Sequence, residues 1–153
     1  MIHSRTRITR KVHRVATSAQ NGHLSKLGFG NGDIVMEFGY DDDVDDNLRM
    51  EIEDLIDGDL EDEDFEEAVD AVLVWWRDGD GDLTDNLVDA VSALGPNGFI
   101  VLLSPKVGRD GEVDPVEIAE AAETAGLNAS VSTNLTPQWS ATRLVAPKNA
   151  AKR

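Results

Sequence analysis

Short, mostly apolar runs alternate along this chain with segments whose apolar residues recur at helical spacing. An apolar run is typical of a strand covered on both faces, whereas spacings of three and four residues indicate an amphipathic helix. Strands are predicted at 34–38, 69–76, 99–103, 127–133 and 140–146. Helices are predicted at about 46–57, 83–94 and 115–125.

The order of these elements predicts the fold class. Strand and helix alternate three times, which implies a parallel sheet with right-handed crossovers. The last two strands are joined through Thr136-Pro137 and can form an antiparallel hairpin. We therefore expect an α/β fold: a single three-layer, Rossmann-like domain with a mostly parallel sheet of about five strands and a C-terminal antiparallel hairpin.

Polar residues mark the predicted helix boundaries. Asp45 or Asp46 can cap the first helix, and Gly58 is placed to end it. The turn residues at 95–98, Gly-Pro-Asn-Gly, are expected to close the second helix. Asp114 precedes a proline and a glutamate, which is a strong signal for the start of the third helix.

Length and composition limit the class of protein. The chain has 153 residues and no cysteine, so disulfides, thiolate metal sites and a cysteine nucleophile are excluded. It has no long apolar run and no signal-peptide pattern, so we expect a cytoplasmic protein without a membrane span. The predicted organisation is a flexible basic arm at 1–26, an α/β domain at 27–148 and a tail at 149–153.

Charge is unevenly distributed along the chain, whose net charge is −16. Residues 1–26 carry six basic residues and no acid, whereas 33–89 carry 24 acids and two arginines. The acidic half would repel phosphate backbones, so we expect no nucleic-acid binding through the body of the protein. It is either a solvated face or a surface for a basic partner protein.

The loop after the first predicted strand is rich in carboxylates. A dinucleotide or S-adenosylmethionine site needs glycines there so that the backbone can approach the ligand, and only Gly39 is present. A looser Mg²⁺ or Ca²⁺ site remains an alternative at Asp78, Asp80 and Asp82, although their spacing does not match an EF-hand. No histidine lies in the predicted domain, and we predict no catalytic residues.

Aromatic and isolated cationic side chains complete the candidate site. Trp75 and Trp76 are adjacent on a strand, so they are expected to point to opposite faces of the sheet. Arg77 follows them beside the aspartates and is expected to form an intramolecular salt bridge. Lys106 and Arg143 either hold an anionic ligand or form surface pairs. The candidate ligand- or partner-binding residues are Gly39, Tyr40, Asp41, Asp42, Asp43, Arg77, Lys106, Trp139 and Arg143.

Residues 69–146 resemble the S-adenosylmethionine methyltransferase fold. The resemblance lies in the strand at 71–76, in Leu94-Gly-Pro-Asn-Gly-Phe-Ile-Val-Leu102 and in the closing hairpin, with 34–39 similar to that fold's first strand and first glycine. The family has further glycines where this chain has Asp41 and Asp43. The family's second strand ends in an acid that holds the ribose. Between 58 and 69 no strand is predicted, so the fold is expected to lack its second and third strands.

The chain from about 26 to 148 also resembles an uncharacterised actinobacterial domain-of-unknown-function family. The segments that carry this resemblance are 38–46, 72–83, 103–108 and 139–145. The family implies no activity.

Three functions follow as hypotheses. The first is a non-catalytic interaction or regulatory domain whose cofactor site is degenerate and whose acidic face binds a basic partner protein, or the basic arm of its own or a neighbouring chain. The second is a divergent S-adenosylmethionine-dependent methyltransferase, and the third is a divalent-cation module. The first strand is expected at or near a sheet edge, where it could pair with another chain, so a dimer is also open.

Overall fold

The structure is a computed structural model that describes residues 24–147. Its elements are β1 (Val35–Phe38), α1 (Asp46–Ile56), β2 (Val69–Trp75), α2 (Leu83–Ala93), β3 (Leu94–Pro105), α3 (Pro115–Thr124), β4 (Asn128–Asn134) and β5 (Trp139–Val145). Every predicted strand and helix is present in the predicted order. The largest boundary difference is at β3, which begins at Leu94 rather than Phe99.

The five strands form one sheet in the order β1-β2-β3-β5-β4. β1, β2 and β3 run parallel, while β5 is antiparallel to both β3 and β4. The predicted α/β class and the C-terminal hairpin are therefore confirmed. β1 lies at one edge of the sheet, as expected for a fold that lacks two strands on that side.

Helices cover both faces of this sheet and create two cores. One core joins the sheet to α1 and to the helical residues 24–27, and the other joins it to α2 and α3. Trp75 is buried in the first core and Trp76 in the second, which confirms that these neighbours point to opposite faces. Both tryptophans therefore stabilise the packing.

Aspartates begin and end α1. The Asp45 carboxylate accepts a hydrogen bond of 2.9 Å from the Leu48 N–H, so Asp45 rather than Asp46 is the N-cap. The prediction that Gly58 ends the helix is wrong by one residue, because Asp57 takes the left-handed conformation with φ +57°. Aspartate is one of the few non-glycine residues that adopt this conformation.

The turn predicted at 95–98 lies inside β3. Leu94 pairs with Val69 and Phe99 pairs with Ala71, so the register between β2 and β3 shifts within this segment. Asn97 has φ +65°, so the turn residues do bend the backbone. They bend the start of a strand instead of separating it from the helix.

The outer edge of β1 is partly covered. The Glu61 N–H donates to the Val35 carbonyl and the Glu37 N–H donates to the Glu61 carbonyl, both at 2.8 Å. Glu61 forms an isolated parallel bridge with Met36, and no strand lies between 58 and 69, as expected. Two backbone groups on the outer side of β1, the Val35 carbonyl and the Glu37 N–H, therefore already have partners.

The packed domain begins upstream of the boundary predicted at Leu27. Leu24 and Leu27 are both fully buried in the first core. Nearly all of the predicted arm at 1–26, and the tail at 149–153, lie outside the described residues. Within 24–147, no helix has the length and apolar character that crossing a membrane requires.

Candidate functional site

The carboxyl end of β1 is built around Gly39. Its φ of +79° favours glycine, and a Cβ built there would overlap the carbonyl oxygen of Trp75 on β2. The need for glycine at this position therefore comes from close packing between neighbouring strands. A ligand is not required to explain it.

Arg77 closes the crevice between the ends of β1 and β2. Its Nη1 donates to the Gly39 carbonyl at 2.9 Å and to the Trp75 carbonyl at 3.3 Å. Its Nε and Nη2 donate to the two carboxylate oxygens of Asp43, the Nε bond being 3.0 Å long. Nη1 also lies 3.2 Å from Asp80 Oδ2. The intramolecular salt bridge predicted for Arg77 is present, with two aspartates.

This contact network changes the electrostatics of the crevice. The hydrogen bond from Arg77, followed by the charge of Arg77, holds the pKa of Asp43 below its ordinary value, although burial opposes the shift. The hydrogen bond to Asp43 likewise raises the pKa of Arg77. Asp43 is therefore ionised at neutral pH, and it is poorly suited to exchange a proton there.

A second ion pair, between Arg49 and Glu37, lies close to the loop after β1 and was not predicted from the sequence. Arg49 donates from Nε and Nη2 to the two oxygens of Glu37 at 2.7 and 2.8 Å, and Trp75 Nε1 donates to Glu37 Oε2 at 2.8 Å. The hydrogen bond to Glu37 raises the pKa of Arg49. Two signals were available: Glu37 is an acid within an apolar strand, and Arg49 is the only basic residue between 27 and 76.

Tyr40 lies above this ion pair. The Arg49 guanidinium carbon is 4.8 Å from the Tyr40 ring centroid, and Tyr40 is 58% exposed. An open groove of about 540 Å³ lies beside it, lined by Glu37, Tyr40, Arg49 and residues 60–64. Most of the groove's charged lining is therefore acidic.

Glu63 lies where this groove meets the crevice. Its Oε2 is 3.4 Å from the Gly39 nitrogen, which donates to it. Glu63 follows the bridge residue Glu61 by two positions. Its carboxylate therefore lies where the carboxyl end of a second strand would be if the bridge were extended into one. The sequence predicts no strand to carry such an acid, because a single bridge residue has no hydrophobic pattern.

A cavity of about 350 Å³ opens on the other side of Asp43. It is lined by residues 43–47, Pro105, Arg109, Asp110, Gln138 and Trp139. The Trp139 ring packs edge-on against Trp75 with centroids 4.8 Å apart, and the Arg77 guanidinium carbon is 5.6 Å from its centroid. Trp139 thus lies beside Arg77 at the crevice.

The other candidate residues divide between the crevice and elsewhere. Asp41 and Asp42 are exposed on the loop after Gly39. Lys106 is half-buried just beyond the carboxyl end of β3, where its N–H donates to the Gln138 carbonyl at 2.9 Å.

Arg143 does not share the site. It pairs with Val101 and Val131 in the sheet, and its guanidinium carbon is 4.6 Å from the Phe99 ring centroid. Its Nη1 lies 3.2 Å from Ser130 Oγ. Phe99 begins the apolar run of β3. Arg143 packs against Phe99 and therefore lies away from the crevice, which is at the carboxyl ends of the strands.

Two of the three aspartates considered for a cation use their side chains in other structural roles. Asp80 accepts from the Arg77 N–H at 3.0 Å, and Asp82 caps α2 by accepting from the Asp85 N–H at 3.1 Å. The Asp78 N–H donates to the Gly111 carbonyl. Within the described part of the chain, no group of three or more histidine, cysteine, aspartate or glutamate residues is placed to hold a metal ion.

The strand order, the two helical layers and the crevice at the carboxyl ends define a methyltransferase-like Rossmann fold. Among solved structures, the pyocyanin biosynthetic protein PhzM matches with a TM-score of 0.58 at 11% identity, over 88% of this chain and 56% of that one. The O-methyltransferase NcsB1, in complex with S-adenosyl-L-homocysteine, matches with a TM-score of 0.57 at 14% identity, over 85% of this chain and 56% of that one. A SAM-dependent methyltransferase from Aquifex aeolicus gives 0.52 at 12% identity, over 84% and 89%. These likenesses establish the fold.

Within that class, the chain belongs to the family described as "Protein of unknown function (DUF3052)", whose model matches residues 24–148. The uncharacterized protein Rv2239c of Mycobacterium tuberculosis is 49% identical over 137 residues, which are 90% of this chain and 86% of that protein. The uncharacterized protein Mb2263c of Mycobacterium bovis has the same identity and coverage. The predicted family resemblance is confirmed.

Proposed function

We propose that this domain is a non-catalytic binding module derived from a methyltransferase-like fold, and that its acidic half binds a basic protein. The position of Arg77 carries this proposal. In open α/β sheets, ligands bind in the crevice outside the carboxyl ends of the strands. Here the guanidinium of Arg77 occupies that crevice and bonds to the Gly39 carbonyl and the Asp43 carboxylate.

The chemistry of the crevice supports a binding role over a catalytic one. General acid–base catalysis requires a group whose pKa lies near the working pH. The pKa of Asp43 is shifted in the opposite direction by Arg77. No histidine or cysteine occurs in residues 24–147, so the nucleophile and base pairs that depend on those side chains are excluded there.

The acidic half has the charge and shape for a basic ligand. Glu66 and Glu67 are exposed, as are residues 62–64. Residues 62–64 line the groove beside Tyr40, whose aromatic ring can stack against a guanidinium or ammonium group. Glu66 and Glu67 line the neighbouring cavity that shares Glu63 with this groove. Such a surface attracts basic partners over a distance and releases them when salt is added.

A cofactor titration tests whether the Arg77 guanidinium keeps S-adenosylmethionine out of the crevice. We expect calorimetry of the full chain to detect no binding of S-adenosylmethionine or S-adenosyl-L-homocysteine at millimolar concentration, where the binding free energy is only about 4 kcal/mol. Arg77→Ala, which removes the guanidinium, is the matched variant. Measurable binding by the unaltered chain contradicts the closed crevice.

A basic probe tests the acidic half. We expect a labelled oligo-arginine peptide to bind the full chain and to dissociate as salt rises. The variant D64N/E66Q/E67Q removes three exposed charges beside the groove and is expected to weaken binding several-fold. The control E117Q/E120Q/E123Q removes the same charge from α3 and is expected to change it little. Equal weakening by both variants would mean that only net charge matters, and the proposed surface would be wrong.

A second candidate function, a divergent S-adenosylmethionine-dependent methyltransferase, is favoured by the position of Glu63. In the resembling family an acid at the end of the second strand holds the ribose. Glu63 reaches the Gly39 nitrogen from that same side of β1. The groove lined by Tyr40 and residues 60–64 is large enough for a nucleoside.

In such an enzyme the cofactor would supply the methyl group, and this chain would bind it through the carboxylate of Glu63 and the ring of Tyr40. Crystals soaked with S-adenosyl-L-homocysteine would then show the nucleoside against Tyr40, and Glu63→Gln would abolish the calorimetric signal. A signal that Glu63→Gln leaves unchanged would exclude this site.

A further inference from the structure

A groove lies at the β1 margin of the helical layer that α2 and α3 form. α2 packs on β2 and β3, and α3 packs on β4. On this face β1 is bordered by residues 63–68, which contain no helix. Between these residues and α2 is an open space of about 350 Å³, called here the Phe65 groove. Its lining residues are Met36, Phe38, Glu63, Phe65, Glu66, Glu67, Ala68, Asp89, Ser92 and Ala93.

The floor of the Phe65 groove is apolar. Phe38, Phe65 and Ala93 pack against the second core but are only half-buried, and Ala68 is exposed. Met36 is buried beneath them. The floor therefore keeps apolar surface in contact with water, and a partner that covered it would gain free energy from the burial.

The walls of the groove are acidic on both sides. Glu63, Glu66 and Glu67 lie on the wall formed by the segment after Glu61, and Asp89 lies on the α2 wall. All four side chains are exposed. Within the described chain, the ion pairs involve other carboxylates and none of these four. Negative charge without a cationic partner therefore borders an apolar floor on two sides.

This charge pattern selects the chemistry of the occupant. Residues 50–76 and 78–105 contain no basic residue. The two arginines that flank these segments, Arg49 and Arg77, are already hydrogen-bonded to carboxylates. A ligand that suits the groove must therefore bring its own cations, placed on both sides of an apolar stripe. An amphipathic helix with lysine or arginine beside its apolar positions has this arrangement.

The surroundings of the groove favour a helix over an extended segment. An added strand would need free backbone groups on the outer side of β1, where the Val35 carbonyl and the Glu37 N–H are bonded to Glu61. A helix satisfies its own backbone groups and needs only side-chain contacts. Ser92 and Ala93 give α2 small side chains on the groove side, so a second helix can approach α2 closely.

We propose that the Phe65 groove binds an amphipathic basic helix of a partner protein. The apolar stripe of that helix packs on Phe38, Phe65 and Ala93, and its cations pair with the carboxylates of both walls. This inference rests on the proposed binding of a basic protein, and it specifies which structural element of that protein is bound. The apolar contact makes binding depend on the order of residues in the helix as well as on its charge.

Two synthetic peptides of identical lysine, leucine and alanine composition test the inference on the full chain. In the ordered peptide leucines recur at i, i+3, i+4 and i+7, and in the shuffled peptide they do not. We expect the ordered peptide to bind roughly tenfold tighter or more, because only its leucines can enter the groove together. Its helical circular dichroism should rise on binding. Equal affinities, or binding without a gain of helix, overturn the inference.

Substitutions locate the binding site of the ordered peptide. Phe65→Ala removes part of the floor without changing charge and is expected to raise the dissociation constant roughly tenfold. Ile118→Ala, at a half-buried position on α3, is the control and should change it little. Ala68→Lys places a cation at an exposed position in the groove and should also weaken binding, whereas Ala119→Lys adds the same charge on α3. Melting temperatures verify that all four variants fold.

The outcomes separate this inference from the proposed function. If both peptides bind equally and salt releases both, the acidic half binds basic chains by charge alone, so the inference is wrong and the proposed function stands. If neither peptide nor oligo-arginine binds, both are wrong. Weakening by the α3 variants in place of Phe65→Ala and Ala68→Lys would put the peptide on a different surface and would also overturn the inference.

Discussion

Contacts made by individual residues fill the crevice at the carboxyl end of β1. Gly39 allows the loop to approach β2, Arg77 spans the crevice, and Glu37 accepts from Arg49 and Trp75 beneath it. Each contact joins residues that are far apart in sequence, so each can be tested by one substitution and a matched control.

Gly39→Ala is expected to destabilise the protein by roughly 3 kcal/mol or more, through its positive φ and the overlap with the Trp75 carbonyl oxygen. Gly79 has φ +96° and no neighbouring atom within 4 Å of a built Cβ. Gly79→Ala should therefore show the backbone penalty alone, about 1 kcal/mol. Urea unfolding followed by tryptophan fluorescence measures both. Equal losses would contradict the close approach of β1 and β2.

Glu37→Gln is expected to cost about 3 kcal/mol, because it leaves the Arg49 guanidinium partly buried beside a neutral amide. Arg49 also lies 3.7 Å from Asp46, whose side chain is 75% exposed. Asp46→Asn, the matched control on the same arginine, should cost less than about 0.5 kcal/mol. A small effect of Glu37→Gln in urea unfolding would argue against the buried pair.

Asp43→Asn tests the crevice through pH. Because Arg77 lowers the folded-state pKa of Asp43, the unfolded chain binds that proton more readily. The stabilisation is therefore present above the unfolded pKa of about 3.9 and is lost as the pH falls through the folded-state value. We expect the difference in unfolding free energy between the unaltered chain and Asp43→Asn to shrink below about pH 4. A pH-independent difference would show that Arg77 does not stabilise the ionised carboxylate.

At the scale of elements, the sequence predicted each helix and strand because local signals carry that information. Apolar runs mark β2 and β3, and Asp45, Asp82 and Asp114 all cap the helices that follow them. The failures were also local. Asp57 replaces Gly58 as the residue in the left-handed conformation, and the turn at 95–98 bends β3 instead of preceding it.

The hydrogen bonds between Glu61 and the outer edge of β1 give a prediction at the scale of elements. Glu61→Pro removes the N–H that donates to the Val35 carbonyl and is expected to cost about 1–2 kcal/mol. Glu61→Ala keeps that N–H and should change stability by less than about 0.5 kcal/mol. Hydrogen exchange at the Glu37 amide, which bonds to the Glu61 carbonyl, should accelerate in the proline variant only. Unchanged exchange would contradict the bridge.

At the scale of the whole molecule, repulsion between like charges opposes the compact folded state. The acids of 33–89 fold into one half of the sheet and repel one another. Raising the sodium chloride concentration is therefore expected to raise the melting temperature by a few degrees through screening. The variant D64N/E66Q/E67Q should show a smaller rise in calorimetry. A melting temperature that falls with salt would mean that attractive pairs dominate.

At the scale of the whole molecule, some features follow from the sequence alone and others only from the tertiary structure. Hydrophobic periodicity and capping residues determined the element order, the α/β class and the opposite directions of Trp75 and Trp76, because these depend on neighbours within a few residues. The pairing of Arg77 with Asp43, of Arg49 with Glu37, and of Glu63 with the Gly39 nitrogen depended on the tertiary structure. In a chain with 24 acids between 33 and 89, the sequence offers each arginine many partners, and only the folded backbone places particular carboxylates within hydrogen-bonding distance.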